Sequence, residues 1–244
     1  MIPEEAPVES SSSSPSATQS KAPEQEAIAL SEDLALAELK RSDLSDADIE
    51  LLARNAVATK SRKVRLALAA HPHTPRRLSL RLVRELYTFD LVRFSLMPTV
   101  AADLRRMASE LLIARLDSIT LGERISLARR CSEKVAAALV LDKEAAVWQA
   151  ALENSRLPET AVANAVQRTS MSAAAVEAIC RHSKWSVRPE VRLALLRSPH
   201  TPLAAALQFA RALPPARLRD VLHTSRLPEK TKAYLLKDLE TRKK

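Results

Sequence analysis

A twelve-residue frame occurs twice in the chain, 127 positions apart, and it constrains the fold more than any other feature. Residues 64–75 read VRLALAAHPHTP and residues 191–202 read VRLALLRSPHTP. Weaker copies are VWQAALENSRLP at 147–158 and RLRDVLHTSRLP at 217–228. Self-similarity of this kind is typical of repeat proteins, in which stacked copies of one unit bury a shared core. The sequence therefore predicts a stack of repeats.

The frame predicts two helices joined by a short turn. Its first half places apolar residues at helical spacing, and polar residues or a proline follow. The last position is proline, which we expect at the first position of the second helix, where its missing N–H is tolerated. These second helices are predicted over 75–86, 158–168, 202–213 and 228–239. The spacing of the later copies indicates a unit of about 22–26 residues.

The pattern VRLALxxxPxTP resembles the repeat of the variant leucine-rich repeat family, a relative of the HEAT-like helical solenoids. It is clearest in the two strong copies and weak over 87–141, where the number of repeats stays open. The resemblance implies an all-α, right-handed helical-repeat solenoid. The family's founding type has a cysteine cluster that holds an iron–sulfur centre, whereas the cysteines here, Cys131 and Cys180, lie far apart and within predicted helices. No cofactor is therefore predicted.

The first 32 residues differ from the rest, with a serine run at 10–14, four prolines and few apolar residues. Such a segment cannot bury enough apolar surface to offset the entropy of ordering, so 1–32 is predicted to be a disordered acidic tail. Residues 33–244 form the predicted α-helical repeat domain. The tail's six glutamates and one lysine give −5, so the chain's net charge of +9 leaves +14 on the repeat domain.

Composition excludes several classes of enzyme. Glycine occurs once, at Gly122, whereas phosphate-binding loops, dinucleotide-binding turns and nucleophile elbows each need several glycines at fixed positions. No nucleophile, base and acid can be assembled, and we name no catalytic residue. His71 and His73 form a close pair, but no cysteine or carboxylate stands beside them to complete a metal site. A glycosylase-like enzyme on a HEAT-like fold is the third alternative, by analogy of fold alone.

Side chains that can carry positive charge recur two residues before each frame proline, at His73, Arg156, His200 and Arg226. Equivalent positions of stacked repeats align along one edge, so these residues predict a basic ridge that binds phosphates or an acidic partner. The alternative is that basic residues simply favour the C-terminal turns of helices.

Arg76 and Arg77 are further predicted binding residues. They lie in the most basic segment, 62–84, in which arginines recur every three or four positions on one predicted helix. A solvated helix face is the alternative to a contact with nucleic acid or an acidic partner.

Trp185 and Arg188 are predicted in a loop, where the tryptophan stands next to Lys184 and could anchor a partner. Trp148 replaces the arginine of the second frame position and could also be partly exposed, although packing between repeats is the favoured interpretation.

These observations predict a non-catalytic scaffold that binds an acidic protein partner through a basic surface. The alternative is a nucleic-acid-binding module that contacts phosphates through that surface, although aromatics are only 3% of residues, which disfavours base stacking. The longest apolar run, 135–141, is too short to span a bilayer, so no membrane partner is predicted. No small-molecule substrate is identified. Two widely spaced cysteines and no visible targeting signal predict a cytoplasmic protein.

Overall fold

The computed structural model describes residues 32–41 and 43–241 of the chain. Apart from Glu32, the predicted disordered tail lies outside the described residues. Glu32 itself begins a helix, and its carboxylate accepts hydrogen bonds from Ser61 Oγ (2.7 Å) and Lys63 Nζ (2.8 Å). These bonds join Glu32 to the start of α4.

The described residues form helices and no strand, which confirms the all-α class. The helices are α1 (Glu32–Glu38), α2 (Asp46–Arg54), α3 (Ala56–Lys60), α4 (Arg62–Ala70), α5 (Arg76–Arg84), α6 (Thr88–Leu96), α7 (Ala102–Ala114), α8 (Leu121–Arg130), α9 (Glu133–Leu139), α10 (Ala145–Leu152), α11 (Glu159–Gln167), α12 (Ala173–Arg181), α13 (Pro189–Leu195), α14 (Leu203–Arg211), α15 (Pro215–His223) and α16 (Glu229–Thr241). A 3-10 turn, Leu116–Ser118, follows α7. Over the described ranges, no helix has both the length and the apolar character needed to cross a bilayer.

Capping residues define where several helices begin. The Ser45 side chain accepts from the Asp48 N–H, and the Asp48 carboxylate accepts from the Ser45 N–H, which together form a capping box at the start of α2. Thr120 and Glu123 form the same reciprocal pair at the start of α8. Both pairs satisfy backbone donors that a helix leaves without an internal partner.

The frame prolines lie one position earlier than predicted. Pro75, Pro158 and Pro202 are N-caps in an extended conformation, and the helix begins at the next residue. Their carbonyl oxygens accept the first intrahelical bonds, for example from the Ala206 N–H to Pro202 at 2.9 Å. The fixed φ of proline suits the N-cap as well as the first helical position. The backbone N–H of an N-cap residue makes no intrahelical hydrogen bond, so proline loses none there.

Two series of helices pack in chain order. Helices α4, α6, α8, α10 and α12 contact one another in succession, and α5, α7, α9, α11 and α13 do the same. The series meet where α4 packs on α5, α6 on α7 and α8 on α9. One continuous apolar core lies between them, and fully buried side chains such as Phe94, Leu127 and Ile179 contribute about 1.5–3 kcal/mol each by leaving water.

Polar contacts between neighbouring helices recur at a similar separation along the chain. Such bonds join Arg77 to Glu50, Lys134 to Glu110, Trp185 to Leu152 and Arg211 to Asp238, which are 27, 24, 33 and 27 residues apart. These separations of 24–33 residues overlap the upper end of the unit of about 22–26 residues expected from the sequence and extend beyond it.

Candidate functional site

The predicted binding residues at the turns share one local structure. In three frames, the side chain two residues earlier accepts a hydrogen bond from the backbone N–H of the predicted residue, as in Asx and Ser turns. The bonds run from His73 to His71 Nδ1 (3.3 Å), from Arg156 to Asn154 Oδ1 (2.8 Å) and from His200 to Ser198 Oγ (3.4 Å). The turn leaves the side chains of all three predicted residues exposed.

Arg226 is exposed as well, but its guanidinium is engaged within the protein. Its Nη2 donates to the Gln167 carbonyl oxygen at 2.5 Å, and its backbone N–H donates to the Arg197 carbonyl oxygen at 3.1 Å. The first bond satisfies a carbonyl at the C-terminal end of α11, where helices lack internal donors. Arg226 therefore has a structural contact in addition to its surface position.

Lys184 occupies a fourth turn of this kind, which sequence reasoning did not count among the binding residues. Its backbone N–H donates to His182 Nδ1 at 3.1 Å, and its Nζ lies 4.1 Å from the centroid of the Trp185 ring. Burial, and then the nearby charge of Arg188, lower the pKa of Lys184. Residues 175–186 keep the spacing of the frame, and this spacing is the signal that could have revealed the turn, although the final proline is missing.

Hydrogen bonds bring some of these turns together. Asn154 Nδ2 donates to the Ala128 carbonyl at 2.7 Å, and Lys184 Nζ reaches the Asn154 carbonyl at 3.4 Å, so the Lys184 turn adjoins the Arg156 turn. In the same way, Ser225 Oγ donates to the Leu196 carbonyl at 2.7 Å, which joins the turns that carry Arg226 and His200. His73 instead lies 3.8 Å from the Asp46 carboxylate.

Trp185 is a core residue, and the expectation that it anchors a partner is wrong. Its side chain is 1% exposed, and its Nε1–H donates to the Leu152 carbonyl at 2.9 Å. An indole that is buried with its donor satisfied stabilises the contact between helices and has no surface left for a ligand. Trp148 is also buried, which confirms the packing interpretation for it.

Arg76 and Arg77 are exposed, as predicted, but each is paired with a carboxylate of another helix. Arg76 binds Asp103 at the start of α7, and Arg77 Nη2 lies 2.9 Å from Glu50 of α2. These two carboxylates offset the positive charge that the sequence predicts for the segment 62–84. Arg188 is exposed at the N-cap of α13 and forms no ion pair with a described residue.

The described residues enclose a groove of about 610 Å³ that the sequence did not predict. We call it the basic groove because four of its lining residues are cationic: Arg105, Arg106, Lys134 and Arg156. Its other lining residues are Ser95, Leu96, Ala102, Ser109, Ser132 and Glu133. Residues from the end of α6, from α7, from the start of α9 and from the turn before α11 thus converge on one surface.

The charges of the basic groove are only partly balanced. Lys134 Nζ binds Glu110 Oε1 at 2.7 Å, and Lys134, with a weaker contribution from Arg106, lowers the pKa of Glu110. Arg105, Arg106 and Arg156 form no ion pair with any described residue. Of the predicted binding residues, Arg156 is the one that lines this groove.

Arg105 has a buried donor without an acceptor. Its Nε has no hydrogen-bond partner in the described structure, although the atom is shielded from solvent. The same helix turn carries Ser109, whose Oγ lies 3.1 Å from the Arg105 carbonyl oxygen and 3.0 Å from Ser132 Oγ. A buried, unsatisfied N–H costs about 1–3 kcal/mol, so an oxygen ligand that reached it would relieve that cost.

The arrangement provides the chemistry of anion binding. The groove's lining includes cationic side chains and hydroxyls but neither histidine nor cysteine.

The two cysteines lie outside the groove. Burial raises the pKa of Cys131 to about 12 and that of Cys180 to about 11, which suppresses their nucleophilic thiolate forms. The sequence predicts Cys131 within a helix. In the structure it follows the last residue of α8 and therefore lies at the helix end.

Within 32–41 and 43–241, no group of three or more histidine, cysteine or carboxylate side chains is arranged to hold a metal ion. Comparison of the chain with protein-family models, curated proteins and solved structures finds no match.

Proposed function

We propose that the protein is a non-catalytic helical-repeat scaffold that binds an acidic segment of a partner protein in the basic groove. The observation that carries this proposal is the convergence of Arg105, Arg106 and Arg156 on one groove, none of them in an ion pair with a carboxylate of the described residues. Uncompensated guanidiniums attract carboxylates from a distance and bind them through paired N–H donors on contact.

The packing pattern supports a solenoid of repeats. Each helix of the two series contacts the next member of its own series, and polar contacts recur about 24–33 residues apart. The two strong frames also share a hydrogen bond: Thr74 Oγ1 donates to Leu68 and Thr201 Oγ1 donates to Leu195, each at 2.6 Å. Stacked repeats present a long surface, which suits the recognition of an extended partner.

The distribution of charge favours an acidic polypeptide over duplex DNA or RNA. A phosphodiester backbone requires a continuous basic track, whereas Glu133 lines the groove and Glu110 neutralises Lys134 at its edge. The most basic helix, α5, has Arg76 and Arg77 committed to acids. A peptide can place its carboxylates against the free arginines and other residues against the glutamates. We also propose a cytoplasmic location, supported by the two unpaired thiols.

Fluorescence anisotropy with the full chain tests the proposal. The probes are a labelled decapeptide of alternating Glu and Ala, a Lys/Ala decapeptide, and a short DNA duplex, each at about 50 and 200 mM salt. We expect binding of the Glu/Ala peptide, weaker at the higher salt, and none of the Lys/Ala peptide. Tighter binding of the duplex than of the acidic peptide would overturn the proposal in favour of a nucleic-acid-binding module.

A matched pair of double variants locates the site. R105Q/R156Q removes two charges from the groove, and R217Q/R219Q removes two from exposed positions of α15. We expect the first to weaken binding of the acidic peptide by about tenfold or more and the second by less than about twofold, because only the first removes direct charged hydrogen bonds. Equal losses in both would show that net charge, and not the groove, binds the peptide.

A further inference from the structure

We infer that the basic groove selects a phosphorylated side chain, a phosphomonoester dianion on an acidic segment, over a carboxylate at the same place. This inference rests on the proposed function, since it names the chemical class of the partner's anchoring group. Phosphoserine carries about −1.5 to −2 charges and three acceptor oxygens, whereas a glutamate side chain carries one charge and two oxygens.

The number of free donors matches a phosphate better than a carboxylate. Arg105 and Arg106 come from one helix and Arg156 from a turn two helix pairs further along the chain, so cations flank the groove from different elements. A single carboxylate can pair bidentately with one guanidinium. A carboxylate bound in this way would leave the other guanidiniums without a compensating charge. A phosphate dianion with three oxygens can instead bind two guanidiniums at once.

A hydroxyl adds a further hydrogen-bonding group. Ser132 Oγ lies 3.0 Å from Ser109 Oγ, and Ser109 donates its own hydrogen to the Arg105 carbonyl at 3.1 Å, so Ser132 is the donor between the two hydroxyls. The Ser132 side chain makes no capping bond to the backbone of α9, so its hydroxyl can exchange the bond to Ser109 for one to a ligand. Arg105 lines the same groove, and its Nε–H has no acceptor among the described residues.

Nucleic-acid phosphates fit this arrangement less well. A phosphodiester carries a single charge on two free oxygens, and its neighbours along the strand repeat that charge at regular steps. Here the free arginines converge on one groove, with Glu110 and Glu133 beside them. An isolated dianion therefore receives the attraction of the arginines without placing further phosphates against the acids.

The test compares three labelled decapeptides that share a Glu-poor, neutral background around one variable centre. The centres are phosphoserine, serine, and a Glu-Glu pair whose net charge equals that of phosphoserine. Anisotropy at about 150 mM salt should show the phosphoserine peptide binding on the order of tenfold more tightly than the Glu-Glu peptide. The serine peptide should show little binding.

Two variants tie that preference to the groove. R156K keeps the charge but loses the bidentate fork, so the preference for phosphoserine should fall by about threefold or more. R217Q/R219Q should keep the preference, and circular dichroism of each variant verifies that it is folded. Duplex DNA that competes as well as the phosphoserine peptide would overturn the inference.

The outcomes separate the two proposals. Equal affinity for the phosphoserine and Glu-Glu peptides, both lost in R105Q/R156Q, would overturn the phosphate inference and leave the acidic-partner function in place. No binding of any acidic peptide, including the Glu/Ala decapeptide at low salt, would overturn both.

Discussion

The side-chain amide of Asn154 donates to the main-chain carbonyl of Ala128, 26 residues earlier, at 2.7 Å. The same amide group reaches the Cys131 carbonyl at 3.3 Å, and its oxygen accepts from the Arg156 N–H at 2.8 Å. One buried residue thus ties the end of α8 to the turn that carries a groove arginine.

We predict that Asn154→Ala lowers the free energy of unfolding by about 2 kcal/mol, because buried carbonyl and amide groups lose their partners. Urea denaturation followed by circular dichroism measures the change. Asn164→Ala, at an exposed position of α11, is the matched control and should stay within about 0.5 kcal/mol. Similar losses in both variants would contradict the assigned role of Asn154. Binding of the acidic peptide should also weaken in N154A, since Arg156 loses its backbone anchor.

Thr74→Val and Thr201→Val should each lower the free energy of unfolding by about 1 kcal/mol, and the two losses should be similar. Each threonine donates to the carbonyl six residues earlier at 2.6 Å. Those carbonyls keep a second donor, the N–H of His71 or of Ser198, so only the net value of one hydrogen bond is lost. The double variant should show additive effects in chemical denaturation. A large difference between the single variants would show that the two frames are not structurally equivalent.

The ion pair of Arg124 with Asp142 should be sensitive to the loss of one partner. Arg124 Nη1 lies 2.9 and 2.7 Å from the two Asp142 oxygens, and the side chains are only 15% and 7% exposed. Arg124→Leu leaves a carboxylate buried without its cation and should reduce stability by about 3 kcal/mol. R124L/D142L should recover part of that loss. A double variant that is less stable than R124L would contradict this account.

Stability should decrease as the pH falls below the ordinary pKa of histidine, and His71 should contribute to that decrease. Burial, and then the charge of His73, lower the pKa of His71 from its ordinary value of 6.5. The unfolded chain therefore binds the proton more readily, so stability is fully present above 6.5 and is lost as the pH falls towards the lowered pKa. Thermal unfolding from pH 7.5 to 5.5 measures the slope. His71→Asn keeps an acceptor for the turn and should flatten the slope, and an unchanged slope in this variant would contradict the role of His71.

Both cysteines should react slowly with a thiol reagent in the native protein. Burial raises the pKa of Cys131 to about 12 and that of Cys180 to about 11, so little thiolate is present at pH 8. Reaction with a chromogenic disulfide should accelerate strongly in denaturant, where both thiols regain ordinary acidity. Rapid native labelling of Cys131, which is fully buried, would contradict the described core.

Local features of the fold were predictable from the sequence. The capping box at Ser45, the helices that follow the frame prolines and the all-α class each depend on residues within a few positions of one another. Helix periodicity and capping operate over one or two turns, so a single sequence contains the information for them. The proline position was one residue off, because N-cap and first helical positions both accept a fixed φ.

Contacts between helices were not predictable in the same way. Trp185 stands among charged residues in the sequence, yet it is buried against Leu152, 33 residues earlier. Arg76 and Arg77 look like part of a basic patch until Asp103 and Glu50 come into contact with them. No local pattern encodes such partners.

The sequence by itself determined that this chain forms helices, where its turns fall and that those turns carry basic residues. The tertiary structure alone decided which of those charges remain free. Packing of α7, α9 and the turn before α11 brings Arg105 and Arg156, 51 positions apart, to one groove, while other arginines are neutralised by acids on adjacent helices. The physical reason is that the charge of a side chain is set by its residue type. Whether an opposite charge lies beside it depends on which helix surfaces are brought together when the apolar faces become buried.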